Sequence, residues 1–372
     1  MAGIYIHIPF CRKACTYCDF HFSTNLALKE KLLETLLLEL EQRKDFLKTS
    51  TLKSIYFGGG TPSVLTPGEI EKILVRIQGF YSLSADVEIT LEANPDDLNL
   101  NYLKAIRKVG VNRLSIGVQS FEAHRLEAMN RSHNAAQALK CIHEAREAGF
   151  ENFSIDLIYG QPQQSLTDWE KDLEQAIALK VPHLSCYALT VEEKTVLAHQ
   201  VKKGKVHPAG DAVVLDHFNL LQKRADAAGY AHYEISNLAL AGKQAVHNSS
   251  YWAGEAYLGL GPSAHSFDGE NLRKWNVANN HAYIKGVQEG EVYFEEERLS
   301  VADAYNEAVM TGLRLQQGVN ISAFSADLKN YVMTESEILR KQGKLILENN
   351  RLYIPEMYRF QADGIAADLF YI

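Results

Sequence analysis

Ile4-Tyr5-Ile6-His7-Ile8-Pro9-Phe10-Cys11-Arg12-Lys13-Ala14-Cys15-Thr16-Tyr17-Cys18 decides how the rest of the chain is read, because it joins a short apolar strand to three thiols within eight residues. Ile4–Ile8 reads as a strand, and the spacing CxxxCxxC follows it on a loop. Three thiolates on one short loop can wrap one corner of a cubic iron–sulfur cluster, each holding a different iron, which leaves the fourth iron without a protein ligand. Two other readings of the same spacing stay open. Structural zinc wants four closed ligands, and His7 or His21 could complete a Cys3His set. A redox disulfide would leave one thiol unused. The other two of the five cysteines stand apart: Cys141 on an amphipathic helix and Cys186 in a strand, both read as core thiols. An odd count in 372 residues is no disulfide framework, which points to a reducing, cytoplasmic setting.

Outward from that loop, apolar β-branched runs alternate with segments of helical period about six times up to Thr190. The strands are expected at Ile4–Ile8, Ser54–Phe57, Asp86–Leu91, Arg113–Val118, Asn152–Ile158 and His183–Leu189. Helices are expected at Asn25–Phe46, Thr66–Phe80, Leu100–Val109, Asn134–Ala148 and Leu166–Leu179. Strands separated by helices favour parallel pairing with a constant hand. Six such units predict an α/β fold, a partial (β/α)6 barrel. Such barrels place their chemistry at the carboxyl ends of the strands. Those ends carry Cys11, Gly58-Gly59-Gly60-Thr61, Glu92 with Asn94, Gln119 with Ser120, and Asp156 with Tyr159. Each alone has a bland explanation as a glycine turn or a capping carboxylate; five in register argue for a site.

The rhythm changes after Thr190. Residues 196–297 read as an extension of the barrel, with a surface turn at Lys202–Lys205, a helix over Gly210–Ala228, a strand-like run Tyr230–Asn237 and an irregular aromatic, glycine-rich stretch from His247 to Phe267. Residues 298–372 read as a small winged-helix-like α+β domain: helices at Val301–Leu315 and Glu335–Lys341, then a hairpin of Leu345–Leu347 and Leu352–Ile354 around Asn349-Asn350. Apolar residues make up 46% and charged residues 23%, a balance that excludes intrinsic disorder, and no run approaches the roughly 18 apolar residues of a membrane span. Met1–Phe10 lacks a basic start and is broken by His7 and Pro9, so no secretion signal is expected. The net charge of −8 disfavours nucleic acid as a general partner, and residues 291–372, with 8 basic and 13 acidic side chains, disfavour DNA binding by the last domain.

The cysteine loop on the first strand of a six-unit barrel resembles the radical S-adenosylmethionine superfamily. That resemblance implies a 4Fe-4S cluster held by Cys11, Cys15 and Cys18, whose open iron chelates S-adenosylmethionine; one-electron reduction then cleaves the sulfonium to methionine and a 5′-deoxyadenosyl radical. Tyr17 could pack on adenine, Gly58-Gly59-Gly60 could offer backbone groups to the ligand's amino group, and Glu92, Gln119, Arg131 and Asp156 could bind its polar ends. Longer stretches, Tyr56-Phe57-Gly58-Gly59-Gly60-Thr61-Pro62-Ser63, Leu114-Ser115-Ile116-Gly117-Val118-Gln119-Ser120-Phe121 and Ile155-Asp156-Leu157-Ile158-Tyr159-Gly160-Gln161-Pro162, are similar to the oxygen-independent coproporphyrinogen III oxidase-like group over essentially the whole chain. In that group Tyr5, Tyr17, Gly60, Thr61, Glu92, Gln119, Arg131 and Asp156 match the ligand-contacting positions.

Within the group, the oxidase carries one more cysteine two places after the third, and a longer segment before the first strand. Here that place is Phe20, and the loop begins eleven residues in. Both departures disfavour the decarboxylase. Cys18-Asp19-Phe20, Tyr233-Glu234-Ile235-Ser236-Asn237 and His247-Asn248-Ser249-Ser250-Tyr251-Trp252 are instead similar to the HemW-type branch, whose members are heme chaperones. The branch implies heme as bound cargo, apo-hemoproteins as clients, a flavodoxin- or ferredoxin-like electron donor and a possible homodimer, and it leaves open whether the chain is an enzyme. His247 could ligate heme iron, with Tyr251 and Trp252 as flat apolar faces; a capped turn followed by two core aromatics would explain the same residues. His265 is a second candidate ligand, with a place in the wall of the barrel mouth as its alternative. Another radical enzyme acting on porphyrins would share these motifs.

Overall fold

In the structure, a computed structural model that describes residues 2–372, six strands lie side by side in the order in which the sequence makes them. They are β1 (Ala2–Ile8), β2 (Thr51–Gly59), β3 (Ser82–Ala93), β4 (Arg113–Gln119), β5 (Phe153–Tyr159) and β6 (His183–Ala188), each parallel to the next. The crossovers are α1 (Lys29–Gln42), α2 (Pro67–Gln78), α3 (Leu100–Lys108), the pair α4 (Ala123–Ala128) and α5 (Ala135–Glu147), and α6 (Leu166–Ala178). The partial (β/α)6 barrel is therefore present. Capping boxes start three of its helices: Thr66 with Glu69, Asn134 with Gln137 and Ser165 with Asp168. Each satisfies two otherwise orphaned amides and contributes about 1 kcal/mol. Asn25 does not start α1 itself but caps a single 3-10 turn, Leu26–Leu28, that leads into it.

The strands sort their side chains by the period of two. Ile4, Ile6 and Ile8, Ile55 and Phe57, Ile89 and Leu91, Leu114, Ile116 and Val118 are buried beneath helix residues such as Leu36, Ile73, Ile106, Ile142 and Trp169. The alternate positions, Tyr5, His7, Ser54, Tyr56, Glu88, Thr90, Glu92, Arg113, Ser115, Ser154, Asp156, His183 and Ser185, make a polar lumen. This lumen positions the site.

Beyond β6 come α7 (Val196–Lys202) and α8 (Asp211–Ala227), then a hairpin of β7 (Ala231–Glu234) and β8 (Asn237–Ala239) that pairs antiparallel with β6. The strand expected over Tyr230–Asn237 is thus two strands, because the Glu234 carboxylate accepts from the amide of Ser236 and the side chain of Asn237 and folds the chain back. The irregular stretch resolves into α9 (Val246–Trp252), β9 (Tyr257–Leu260), which pairs parallel with β1, and β10 (His265–Phe267). Its pattern is hidden by close backbone approach: a Cβ at Gly259 would lie 1.9 Å from the His265 carbonyl oxygen and one at Gly261 2.5 Å from that of His7. β11 (Leu272–Asn276), α10 (Asn280–Glu289) and β12 (Phe294–Arg298) complete a twelve-stranded sheet.

The last unit runs α11 (Val301–Arg314), β13 (Val319–Asn320), α12 (Ala326–Lys341), β14 (Ile346–Glu348), β15 (Arg351–Tyr353) and α13 (Ala362–Ala367), with its own three-stranded sheet in the order β13-β15-β14. Asn349 and Asn350, at φ 50° and 60°, make the tight hairpin turn. α12 begins at Ala326 rather than near Glu335, since Ser325 caps it and only Val332 is buried in its first half, too little for a visible apolar period. The unit packs its own core, Tyr305, Val309, Leu313, Val332, Leu339, Leu352 and Ile365. Among the described residues no helix is long and apolar enough to cross a membrane.

Candidate functional site

The three-cysteine loop leaves β1 at the carboxyl end of the barrel and is clamped by the turn after α4. Thr16 N–H donates to the Met129 carbonyl (3.1 Å), Asn130 Nδ2 to that of Ala14 (2.6 Å) and Lys13 Nζ to that of Arg131 (3.3 Å). Asn130 takes φ 57° to make this turn, the left-handed region that asparagine tolerates. Each sulfur has a donor. The Thr61 hydroxyl donates to Cys11 Sγ at 3.3 Å, Arg131 Nη1 to Cys15 Sγ at 3.2 Å, and the backbone N–H of Phe20 to Cys18. Burial pushes the Cys11 thiol up and that of Cys18 up to about 11, so iron must displace these protons on binding.

Among the described residues, no three His, Cys, Asp or Glu side chains lie close enough to share one metal ion. His7 Nε2 donates to the His21 carbonyl and His21 Nε2 to Asn280 Oδ1, so both imidazoles proposed for a zinc set are engaged elsewhere. Thiolates that each meet a separate iron, with donors aimed at the sulfurs, suit a cluster better than one ion.

Beside the loop lies a cavity of about 400 Å³. Tyr17, Gly60, Thr61, Glu92, Gln119, Arg131 and Asp156 all line it with the cysteines, so seven of the eight positions implied by the resemblance converge. Tyr5 does not line it: its hydroxyl donates to His7 Nδ1 (3.2 Å) and its ring stacks on Tyr56 lower in the lumen. The glycine run is fixed by packing, since a Cβ on Gly60 would meet the Phe10 carbonyl oxygen at 2.8 Å. The amides of Gly59 and Gly60 are spent on Glu92 and on the Ile8 carbonyl, so only carbonyl oxygens of this turn remain for a ligand's amino group. Gln119 sits at φ 66° at a bulge in β4, a strained conformation of the kind that gathers at ligand sites.

The cavity floor is acidic. Burial raises Glu92 to about 7 despite hydrogen bonds from the Tyr56 hydroxyl (2.7 Å) and the Gly59 amide, and raises Asp156 to about 6 despite its serine donors. At the mouth, Phe20 is 67% exposed and Tyr187 45%. Asn94, Ser115, Phe22, Tyr187, Leu189 and Glu192 also line the cavity. Ser115 and Tyr187 follow from the inward period of β4 and β6; the loop residues Leu189 and Glu192 carry no sequence signal.

The opposite end of the lumen is closed by α9. Glu88 accepts the amides of Val246 and His247, both at 3.0 Å, and its other neighbour is Arg113, whose Nε is 3.7 Å away and has no hydrogen-bond partner among the described residues. His247 points inward: Nδ1 bonds Ser54 Oγ at 2.9 Å and the ring stacks on Tyr56 at 5.0 Å between centroids. Burial lowers its pKa to about 4. Tyr251 points outward, 45% exposed, and Trp252 lies under the Arg314 guanidinium, 4.8 Å from its centroid. The structure therefore does not gather His247, Tyr251 and Trp252 on one face. His265 is exposed and stacks on Trp275, its partner across β10 and β11.

Residues 5–176 match the radical SAM superfamily and residues 299–356 the HemN C-terminal domain. The heme chaperone HemW of Bacillus subtilis is 38% identical over 331 residues, 87% of this chain and 86% of that protein. That of Mycobacterium tuberculosis is 33% identical over 374 residues, 99% of this chain and 94% of the relative. Among solved structures, coproporphyrinogen III oxidase (HemN) from Escherichia coli superposes with a TM-score of 0.85, covering 99% of this chain and 90% of that one at 23% identity, a likeness of fold.

Proposed function

The chain belongs to the radical SAM superfamily and, within it, to the HemW family, and from that premise we propose that it is a heme chaperone, binding heme and delivering it to apo-hemoproteins, with a 4Fe-4S cluster and S-adenosylmethionine at the carboxyl end of its barrel. The carrying observation is identity of 33–38% to heme chaperones over nearly the whole chain. Cys11, Cys15 and Cys18 would hold three irons. Tyr17, Gly60, Thr61, Glu92, Gln119, Arg131 and Asp156 would hold S-adenosylmethionine, with Tyr5 acting through His7 rather than by contact. When bound, the cluster supplies the electron that cleaves the sulfonium. The chain's own part is to exclude water from a cavity walled by Ile158, Tyr187 and Leu189 and to offer Glu92 and Asp156, each able to hold a proton, to the ligand's hydroxyls.

Below that cavity the lumen is filled by Tyr5, Tyr56 and His247, stacked on one another, which favours heme carried outside the barrel over a tetrapyrrole processed within it. Its proposed contacts are Tyr251 and Trp252, with His247 reaching iron once α9 leaves the lumen. The proposed setting is the cytoplasm, with a flavodoxin- or ferredoxin-like donor, protein clients suited to an acidic surface, and a homodimer as an allowed state. Heme titration of the cluster-loaded protein tests the reading: tight binding that weakens in His247→Ala supports it, and equal weak binding in both removes the site. The oxidase is the second reading, on its fold alone. Sustained protoporphyrinogen formation from coproporphyrinogen III with reductant and S-adenosylmethionine would establish it instead; the expected result is none.

A further inference from the structure

The three cysteine sulfurs receive three chemically different donors: a hydroxyl from Thr61 at Cys11, a backbone amide from Phe20 at Cys18 and a guanidinium from Arg131 at Cys15. Only the last carries charge. Arg131 is half-buried, and its fork is fixed on both sides. Nη1 spans Cys15 Sγ (3.2 Å) and the Tyr17 hydroxyl (3.4 Å), while Nη2 donates to Asn94 Oδ1 (2.6 Å) and the Gly117 carbonyl (2.9 Å). Gly117 leaves the room for this, since a Cβ there would lie 3.1 Å from Nη2. Four of the five donors are thus spent on the protein or directed at it, and the fifth, Nε, has no partner among the described residues. A group whose only duty was a ligand's carboxylate would not be tied down in this way.

We propose that Arg131 is a positioning residue of the cluster itself: it holds the Cys15 sulfur while anchored to Asn94 just after β3 and to Gly117 in β4, and its charge makes the iron–sulfur centre easier to reduce. Reduction adds one electron and no proton to the centre, and a cation hydrogen-bonded to a ligating sulfur stabilises the more negative state. The neighbouring lumen carboxyls, Glu92 and Asp156, are both held toward their neutral forms by burial, which lessens the negative charge they set against it. Of the other charged groups at the loop, Arg12 is paired with Asp97, Asp19 lies beside Cys18, and Lys13 is bonded to the Arg131 carbonyl. The inference rests on the cluster reading above, and its partner is the cluster, whether or not S-adenosylmethionine is present.

The test is a redox titration of the anaerobically reconstituted protein without S-adenosylmethionine, with dithionite as the electron source and the reduced cluster followed by electron paramagnetic resonance. Arg131→Met is expected to keep its iron and to show on the order of a tenfold lower ratio of reduced to oxidised cluster at a fixed solution potential, about 59 mV for a one-electron couple. Arg131→Lys, which keeps the charge but not the fork, recovers part of the shift. Asn94→Ala, which frees Nη2, gives a smaller shift of the same sign and stands in if Arg131→Met fails to take up iron. A full cluster with wild-type potential in Arg131→Met, or in Asn94→Ala should that variant stand in, overturns the proposal and leaves Arg131 to the ligand alone. Wild-type protein that binds no iron overturns the cluster reading and the proposal together.

Discussion

The two ends of the barrel lumen are built from the same strands and face opposite demands. At the carboxyl end the polar side chains leave a cavity, and two of their donors go to sulfur; at the amino end α9 plugs the opening with an imidazole and sets its first amides on Glu88. Burial acts on both, with opposite sign. It raises Glu92 to about 7 and Asp156 to about 6 at one end and keeps His247 neutral down to about 4 at the other. The difference teaches that a polar lumen is not by itself a site: what distinguishes the open end is the residual space and the three thiols gathered beside it.

The comparison breaks most completely at the cysteines. Replacing Cys11, Cys15 or Cys18 by alanine should take bound iron from about four per chain to almost none, measured by iron analysis after anaerobic reconstitution, while urea unfolding of the apo-protein changes little. Next in size is Glu88→Ala. It strips Arg113 of its ion-pair partner and uncaps α9, so unfolding free energy should fall by about 3–5 kcal/mol in a urea titration, with cluster loading retained in the folded fraction.

The opposite titrations give a sharper contrast. His247 stays neutral when folded down to about 4 but takes a proton near 6.5 when unfolded, so its burial costs stability as pH falls below 6.5. Glu92 stays protonated when folded up to about 7 but ionises near 4.5 when unfolded, so its contribution is present below 4.5 and is lost as pH rises through 7. Against wild type, the stability deficit of His247→Gln should therefore shrink from pH 7 to pH 5, and that of Glu92→Gln should shrink from pH 5 to pH 7, each by about 2 kcal/mol. Parallel slopes in the two variants would erase the distinction between the ends. The smallest effect belongs to the outer face of α9: Arg314→Met removes the cation over Trp252 and should cost about 1 kcal/mol, read as a small drop in the urea midpoint.

Much of the open end was legible in the sequence because its residues fall at strand ends in a repeating order: Cys11, Thr61, Glu92, Gln119 and Asp156 needed only the βα rhythm to be placed together. Arg131 needed the resemblance, for it lies in a turn with no period. The clamp by Met129 and Asn130 was hidden for the same reason. At the closed end the sequence left HNSSYW open between a heme contact and a capped turn with packed aromatics; residues 247 and 251 are one helical turn apart, and only the register of Ser54 and Tyr56 shows that the imidazole goes into the lumen. The β9–β10 stretch was illegible because its glycines answer to neighbouring backbone rather than to a period.

The pairing of β9 with β1, Gly3 opposite Tyr257, sets the order in which the chain can mature. During synthesis the first strand and the cysteine loop it carries emerge early, yet one edge of that strand stays uncovered until the chain beyond Leu260 is made. An unpaired edge is a template for association with other chains, and contacts this distant in sequence form slowly. The nascent protein thus exposes its thiols and a bare strand edge together, and cluster insertion before β9 docks would meet a loop whose supporting strand is paired on one side alone.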